Sequence, residues 1–214
     1  WVGVFLDNIR YTLDNTEYGT PVIASYATDE NFQEATLAFM RAIVDAMHQE
    51  KLNVIGNVSQ VNDPNHPFWG AFLNVADGAM NEVFTRTHYN IIEQGYHTAA
   101  VWQQQLEQGQ NIPEGKILLL ENRVPFWSDH DISLYGYASM LLGINNKTRP
   151  TYYYGREDTA SIPSYWYDEY NIDLGEPTGL AEEEGGIYSR AFERGLVIVN
   201  PNPNRQQITL TRDM

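Results

Sequence analysis

The chain is built from short apolar runs that end on polar or acidic residues, each followed by a longer stretch of different periodicity. The runs are "GVFLDN", "NVIGN", "GAMNEVF", "GKILLLEN" and "TYYYG". Behind the first, Asp29 reads as a helix N-cap, and Phe32, Ala35, Phe39, Met40, Ile43 and Met47 recur at helical spacing up to about Lys51. Ile91, Ile92, Ala99, Trp102 and Leu106 form the inward face of a helix over residues 90–108, ended by Gly109 and Pro113. Asp129 caps another helix that carries Ile132, Leu134, Tyr135, Ala138, Leu141 and Leu142. Runs that are apolar throughout, rather than on alternate residues, belong to strands covered on both faces. Strand followed by helix, repeated, makes a parallel sheet of the α/β class. Two architectures fit, an open doubly wound sheet and a β/α barrel. No G-x-G-x-x-G or P-loop follows a strand, which favours a (β/α)8 TIM-type barrel or its C-terminal half.

Charge removes several classes of function. The chain has 28 Asp and Glu against 13 Lys and Arg, a net charge of -15, and such a surface repels phosphate backbones and anionic headgroups. No nucleic-acid partner is expected, and no apolar run approaches the roughly 18 residues of a membrane span. With no cysteine there is no disulfide, thiolate nucleophile or zinc-thiolate site. The histidines His48, His66, His88, His97 and His130 follow no metal-ligand spacing, and the loop acids Asp14, Glu17 and Asp63 fit no EF-hand. No G-x-S-x-G elbow is present. The expectation is therefore no metal and no cofactor.

Beyond Tyr154 the pattern changes. Residues 156–184 are rich in Gly, Pro, Tyr and acid, and three short strands are expected after them: 187–192, 196–199 and 207–210, separated by Glu193-Arg194-Gly195 and the double "NPNP". The organisation read from this is β/α units over 1–155 and a loop with a small antiparallel β appendage over 156–214.

Three runs deliver a carboxylate near the strand end: Asp7, Glu82 and Glu121. In both β/α architectures ligands sit at the C-terminal ends of the strands, so these acids would meet at one mouth. Converging carboxylates perform general acid, base and nucleophile chemistry, as glycoside hydrolysis requires. Asp7, Glu82 and Glu121 are the candidate catalytic residues. Asn8, Asn57, Arg86, Trp69 and Trp127 are candidate substrate contacts, the two tryptophans because they fall in expected loops after strand ends, where an indole face can stack on a sugar. Each has a plainer reading. Asp7-Asn8 could cap a loop, Glu82 could pair with Arg86 four residues on, and Glu121 could pair with Arg123.

"GVFLDN", "DGAMNEVF" and the closing "LGEPTG" and "GIYSRAFERGLVIVNP" resemble the bacterial and phage TIM-barrel proteins known as hypothetical glycosyl hydrolases, which are similar to the alpha-galactosidase-like barrels. The resemblance implies that Asp7 is the fourth-strand acid and Glu82 the sixth-strand acid, so that residues 1–155 would supply strands 4 to 8. It implies an oligosaccharide or polysaccharide substrate, and an N-terminal half-barrel or second chain that completes the fold. The alternative expectation is a non-catalytic carbohydrate-binding or scaffold protein on the same fold, and a weaker one a metal-dependent hydrolase.

Overall fold

The computed structural model describes residues 2–13, 25–58, 66–86, 95–124, 129–145, 149–155 and 166–210. Five strands, β1 (Gly3–Ile9), β2 (Asn53–Val58), β3 (Gly78–Phe84), β4 (Ile117–Arg123) and β5 (Arg149–Gly155), form one all-parallel sheet in the order 1-2-3-4-5. Four helices connect them: α1 (Asp29–Gln49), α2 (Pro67–Leu73), α3 (Ala99–Gln110) and α4 (His130–Gly143). A doubly wound sheet reverses its strand order at a switch point, and this sheet has no reversal. With right-handed crossovers, every connection then falls on the same face. The described sheet keeps two edges, β1 and β5, so the five strands do not themselves close a barrel.

Alternation along the strands assigns the two faces. Val4, Leu6, Val54, Val58, Ala79, Leu118 and Leu120 pack with Leu37, Met40, Ile43, Val44 and Met47 of α1 and with Phe68, Trp69, Phe72 and Leu73 of α2. Gly56 shares this face because nothing larger fits: a Cβ there would lie 2.5 Å from the Phe72 ring. The other face carries Phe5, Asp7, Ile55, Asn57, Met80, Glu82, Leu119 and Glu121. Its β1 end is open, with Phe5 47% exposed.

Local chemistry sets the helix ends. Thr28, not Asp29, caps α1, its Oγ1 accepting from the Asn31 N–H, while Asp29 and Glu30 in the first turn suit the positive end of the helix dipole. The third helix begins at Ala99 behind a Thr98 cap; the expected start at residue 90, with Ile91 and Ile92, lies outside the described residues. The carboxylate of Asp77 accepts from the Val54 N–H at 2.7 Å and bonds His48 Nε2 at 2.8 Å, tying the start of β3 to β2 and α1.

The last segment differs in detail from expectation. The antiparallel sheet is β6 (Glu182–Glu184), β7 (Ile187–Phe192) and β8 (Gly195–Val199), and residues 207–210 are not a strand. Gly185 and Gly186, at φ 60° and 84°, form a two-residue hairpin turn whose left-handed backbone glycine adopts without strain, so β7 takes its second partner from the residues before it. Phe192, Val197 and Val199 pack on Trp102, Leu106 and Leu142 of α3 and α4. Buried Arg190 donates to the carbonyls of Leu141, Leu142 and Ile144, capping the C-terminus of α4, and to Gly179 O.

Candidate functional site

A hydrogen-bond donor belongs between two carboxylates, and one stands there. Nδ2 of Asn57, on β2, donates to Asp7 Oδ1 on β1 at 2.9 Å and to Glu82 Oε2 on β3 at 2.8 Å. Because the two N–H bonds of a planar amide diverge by about 120°, the acceptor oxygens lie about 5 Å apart, and no further than the roughly 5.7 Å of the two bonds laid end to end. Asn57 is 2% exposed, and its Oδ1 is buried without a hydrogen-bond partner among the described residues. Buried acceptors are ordinarily satisfied, so this atom stands out beside two acids.

Both acids sit on bulges. The β1–β2 register passes from Leu6 opposite Gly56 to Ile9 opposite Val58, setting Asp7 and Asn8 against Asn57 alone. The β3–β4 register passes from Asn81 opposite Leu120 to Phe84 opposite Asn122, setting Glu82 and Val83 against Glu121 alone. A two-against-one bulge bends the strand and re-aims a side chain, a device common beside active sites. β1 therefore does not stop at Asp7 as its apolar run suggests; it resumes at Ile9 beyond the bulge. Asn8 takes φ 56°, the left-handed conformation that asparagine tolerates, and Thr85, just past β3, takes φ 58°, a genuine outlier for a β-branched residue.

These distortions are held in place. The Asp7 carboxylate accepts from the Asn8 N–H at 2.8 Å and from Asn8 Nδ2 at 3.2 Å, so with Asn57 three donors converge on it. Val83 O accepts from Gln105 Nε2 at 3.0 Å and meets His97 Nε2 at 2.6 Å. Thr85 donates its N–H to Gln105 Oε1 at 2.9 Å and its hydroxyl to Asn122 Oδ1 at 2.6 Å. The first turns of α3 and the loop before it thus grip the tail of the strand that carries Glu82.

The structure sorts the expected site residues. It brings Asp7, Asn8, Asn57 and Glu82 together, and places Glu121, 6% exposed, on the same face against the β3 bulge. Trp69 is not in a loop. It lies inside α2 at 4% exposure, in the main core, because Phe68, Trp69, Phe72 and Leu73 turn their apolar bulk against the sheet. Arg86 is wholly enclosed, its guanidinium 4.5 Å from the centroid of the Tyr96 ring, and does not face an open cleft. Trp127 lies outside the described residues, as do Asp14, Glu17, Asp63 and His88. One pair of residues escaped sequence reasoning: His130 Nε2 bonds Glu169 Oε1 at 2.9 Å, and this contact holds the imidazole protonated above the usual histidine range. Glu169 is 39 positions away, on the 3-10 turn Asp168–Asn171, and no local spacing announces it.

Among the described residues no cluster of three or more His, Cys, Asp or Glu side chains is arranged to hold a metal ion, and no helix is long and apolar enough to cross a membrane. Residues 1–196 match the family model described as hypothetical glycosyl hydrolase family 15. No curated protein matches the chain.

Proposed function

Because the chain belongs to hypothetical glycosyl hydrolase family 15, we propose that it cleaves O-glycosidic bonds of an oligosaccharide or polysaccharide, with Asp7 and Glu82 as the working carboxylates. The observation that carries this reading is the single amide of Asn57 shared between them. Two acids on alternate strands, on the same sheet face and at bulged strand ends, have the placement that glycoside hydrolysis needs.

Their separation bears on mechanism. About 5 Å between the facing oxygens is in keeping with retention through a glycosyl-enzyme, for which carboxyl groups stand about 5–5.5 Å apart, whereas inversion needs roughly 6.5–9.5 Å to admit water. In this reading an Asp7 oxygen attacks the anomeric carbon as Glu82 gives its proton to the glycosidic oxygen, and the alcohol leaves. Glu82 then takes a proton from water, the water oxygen bonds to the anomeric carbon, and the Asp7 ester bond breaks. The three donors on Asp7 orient it as the nucleophile. The partnerless Oδ1 of Asn57 is an acceptor that a sugar hydroxyl would satisfy. Glu121 is assigned to positioning the sugar.

The same reading takes β1 to β5 as strands 4 to 8 of a TIM-type barrel. Asp7 and Glu82 then fall on strands 4 and 6, and the remaining three strands come from an N-terminal half-barrel or a second chain. The sequential strand order and the outer edge of β1, unpaired among the described residues, support it.

The test is a panel of 4-nitrophenyl glycosides and soluble polysaccharides assayed with the wild type, Asp7→Asn and Glu82→Gln. A loss of more than about a hundredfold in each variant is expected. Near-normal turnover in either removes that residue from the pair, and a wild type that binds glycans without cleaving any leaves the carbohydrate-binding alternative.

A further inference from the structure

A second concavity has no part in this chemistry. It encloses about 560 Å³ between the start of α3, the second turn of α4 and the Asn-Pro loop after β8, within the roughly 300–1,000 Å³ of small-molecule sites. Its walls are Tyr96, Tyr135, Thr98, Ala99, Pro201 and Asn202, among others; none of the described lining residues is a carboxylate, lysine or arginine, and the imidazole of His97 is engaged by Val83 O. A neutral ligand fits such a lining better than an anion or a cation.

The walls are preformed. The Tyr96 ring has the Arg86 guanidinium 4.5 Å from its centroid and meets Tyr135 edge to face at 5.2 Å, yet the residue remains 40% exposed. It is therefore a fixed aromatic platform with surface still open. The "NPNPN" loop opposite is locked by its own amides: Asn200 Nδ2 donates to Asn204 O at 2.7 Å, the Asn202 N–H to Asn200 Oδ1 at 3.0 Å, and Asn202 Nδ2 to Gly186 O at 2.8 Å. Little conformational freedom is left to lose on binding. Burial and the neighbouring Tyr96 keep the Tyr135 phenol protonated, so it can donate.

A rigid aromatic face, neutral polar groups and prolines match a ligand with apolar C–H faces and hydroxyl edges. We propose that this cavity is a non-catalytic binding site for a neutral pyranose unit, which anchors a glycan chain beside the carboxylate pair. Its connection to that pair is direct in the chain: His97, in the lining, contacts Val83 O one residue from Glu82. The identity of the ligand as a glycan rests on the hydrolase reading; the cavity itself does not.

Native electrophoresis through gels containing galactomannan, xyloglucan, mixed-linkage β-glucan, dextran or pullulan tests it. The wild type should be retarded by at least one polymer. Tyr96→Ala, which removes the platform, and Ala99→Phe, which fills the space without removing a wall, should each raise the apparent dissociation constant at least tenfold. Thermal melting of both variants identifies any that fails to fold, and a folded Ala99→Phe suffices alone. A wild type that no polymer retards, or folded variants retarded like the wild type, overturns the proposal. Turnover of aryl glycosides by the wild type is measured separately, so failure of the hydrolase reading shows there and leaves the gel result decisive for the cavity.

Discussion

Replacing Asn57 by aspartate keeps the shape of the side chain and exchanges a double donor for acceptors. In the native site the amide nitrogen lies 2.9 Å from an Asp7 oxygen and 2.8 Å from a Glu82 oxygen. A donor contributes about 1.5–3 kcal/mol to a charged acceptor where water is excluded, and about 0.5–1.5 kcal/mol to a neutral one, as Glu82 is while it holds its catalytic proton. Asp7 is exposed, so water replaces much of its share; the two contacts together contribute about 2 kcal/mol after that discount. A third carboxylate in their place adds like-charge repulsion, which the cluster relieves by keeping a proton to higher pH. For Asn57→Asp, kcat/KM at pH 7 should fall roughly 30-fold or more, with the acid limb of the pH profile moved to higher pH. Stability should follow the same sign. A carboxyl whose folded-state affinity for protons is raised binds more of them folded than unfolded, so the destabilisation is larger at pH 8 than at pH 5. The assay is the pH dependence of hydrolysis for whichever aryl glycoside is turned over, beside thermal melting at the two pH values. A variant within threefold of the wild type, with an unmoved acid limb, would refute the shared-amide account.

Other outcomes follow from the same structure. Arg190→Met leaves three carbonyls at the end of α4 without their guanidinium and should cost about 3 kcal/mol of stability in denaturant unfolding, with loss confined to 1 kcal/mol or less counting against the cap. His130 should titrate above an ordinary histidine by NMR and return toward it in Glu169→Gln, the stabilising contact being complete below the usual histidine range and lost as pH rises through the raised value. With the β1 edge unpaired and Phe5 exposed, this 214-residue chain alone should associate or aggregate in sedimentation; a monodisperse monomer would contradict the half-barrel assignment.

The parallel order and the acids at the strand ends were legible because each depends on local patterning: continuous apolar runs for two-sided burial, and a carboxylate where the run stops. Bulges were not legible. Whether Asp7-Asn8 ends β1 or kinks it depends on Val58 pairing Ile9 across 49 positions. Trp69 misled because a seven-residue apolar helix and an aromatic loop share the same composition, and only the sheet beneath α2 distinguishes them. Asn57 was visible as a polar residue in an apolar strand, but its bonds to both acids come from register with β1 and β3. Residues 207–210 carry alternation suited to a strand, yet the third strand of the sheet is Glu182–Glu184, paired with β7 through the Gly185-Gly186 turn. The wall at residues 200–204 read only as punctuation until α3 and α4 were set against it.

The central claim is that Asp7 and Glu82 form a pair spaced for double displacement. Proton NMR of the first product released from a glycoside that the protein cleaves tests this most directly. The account predicts the same anomer as the substrate, before mutarotation. The opposite anomer, or the absence of any cleavage across the panel, would contradict it.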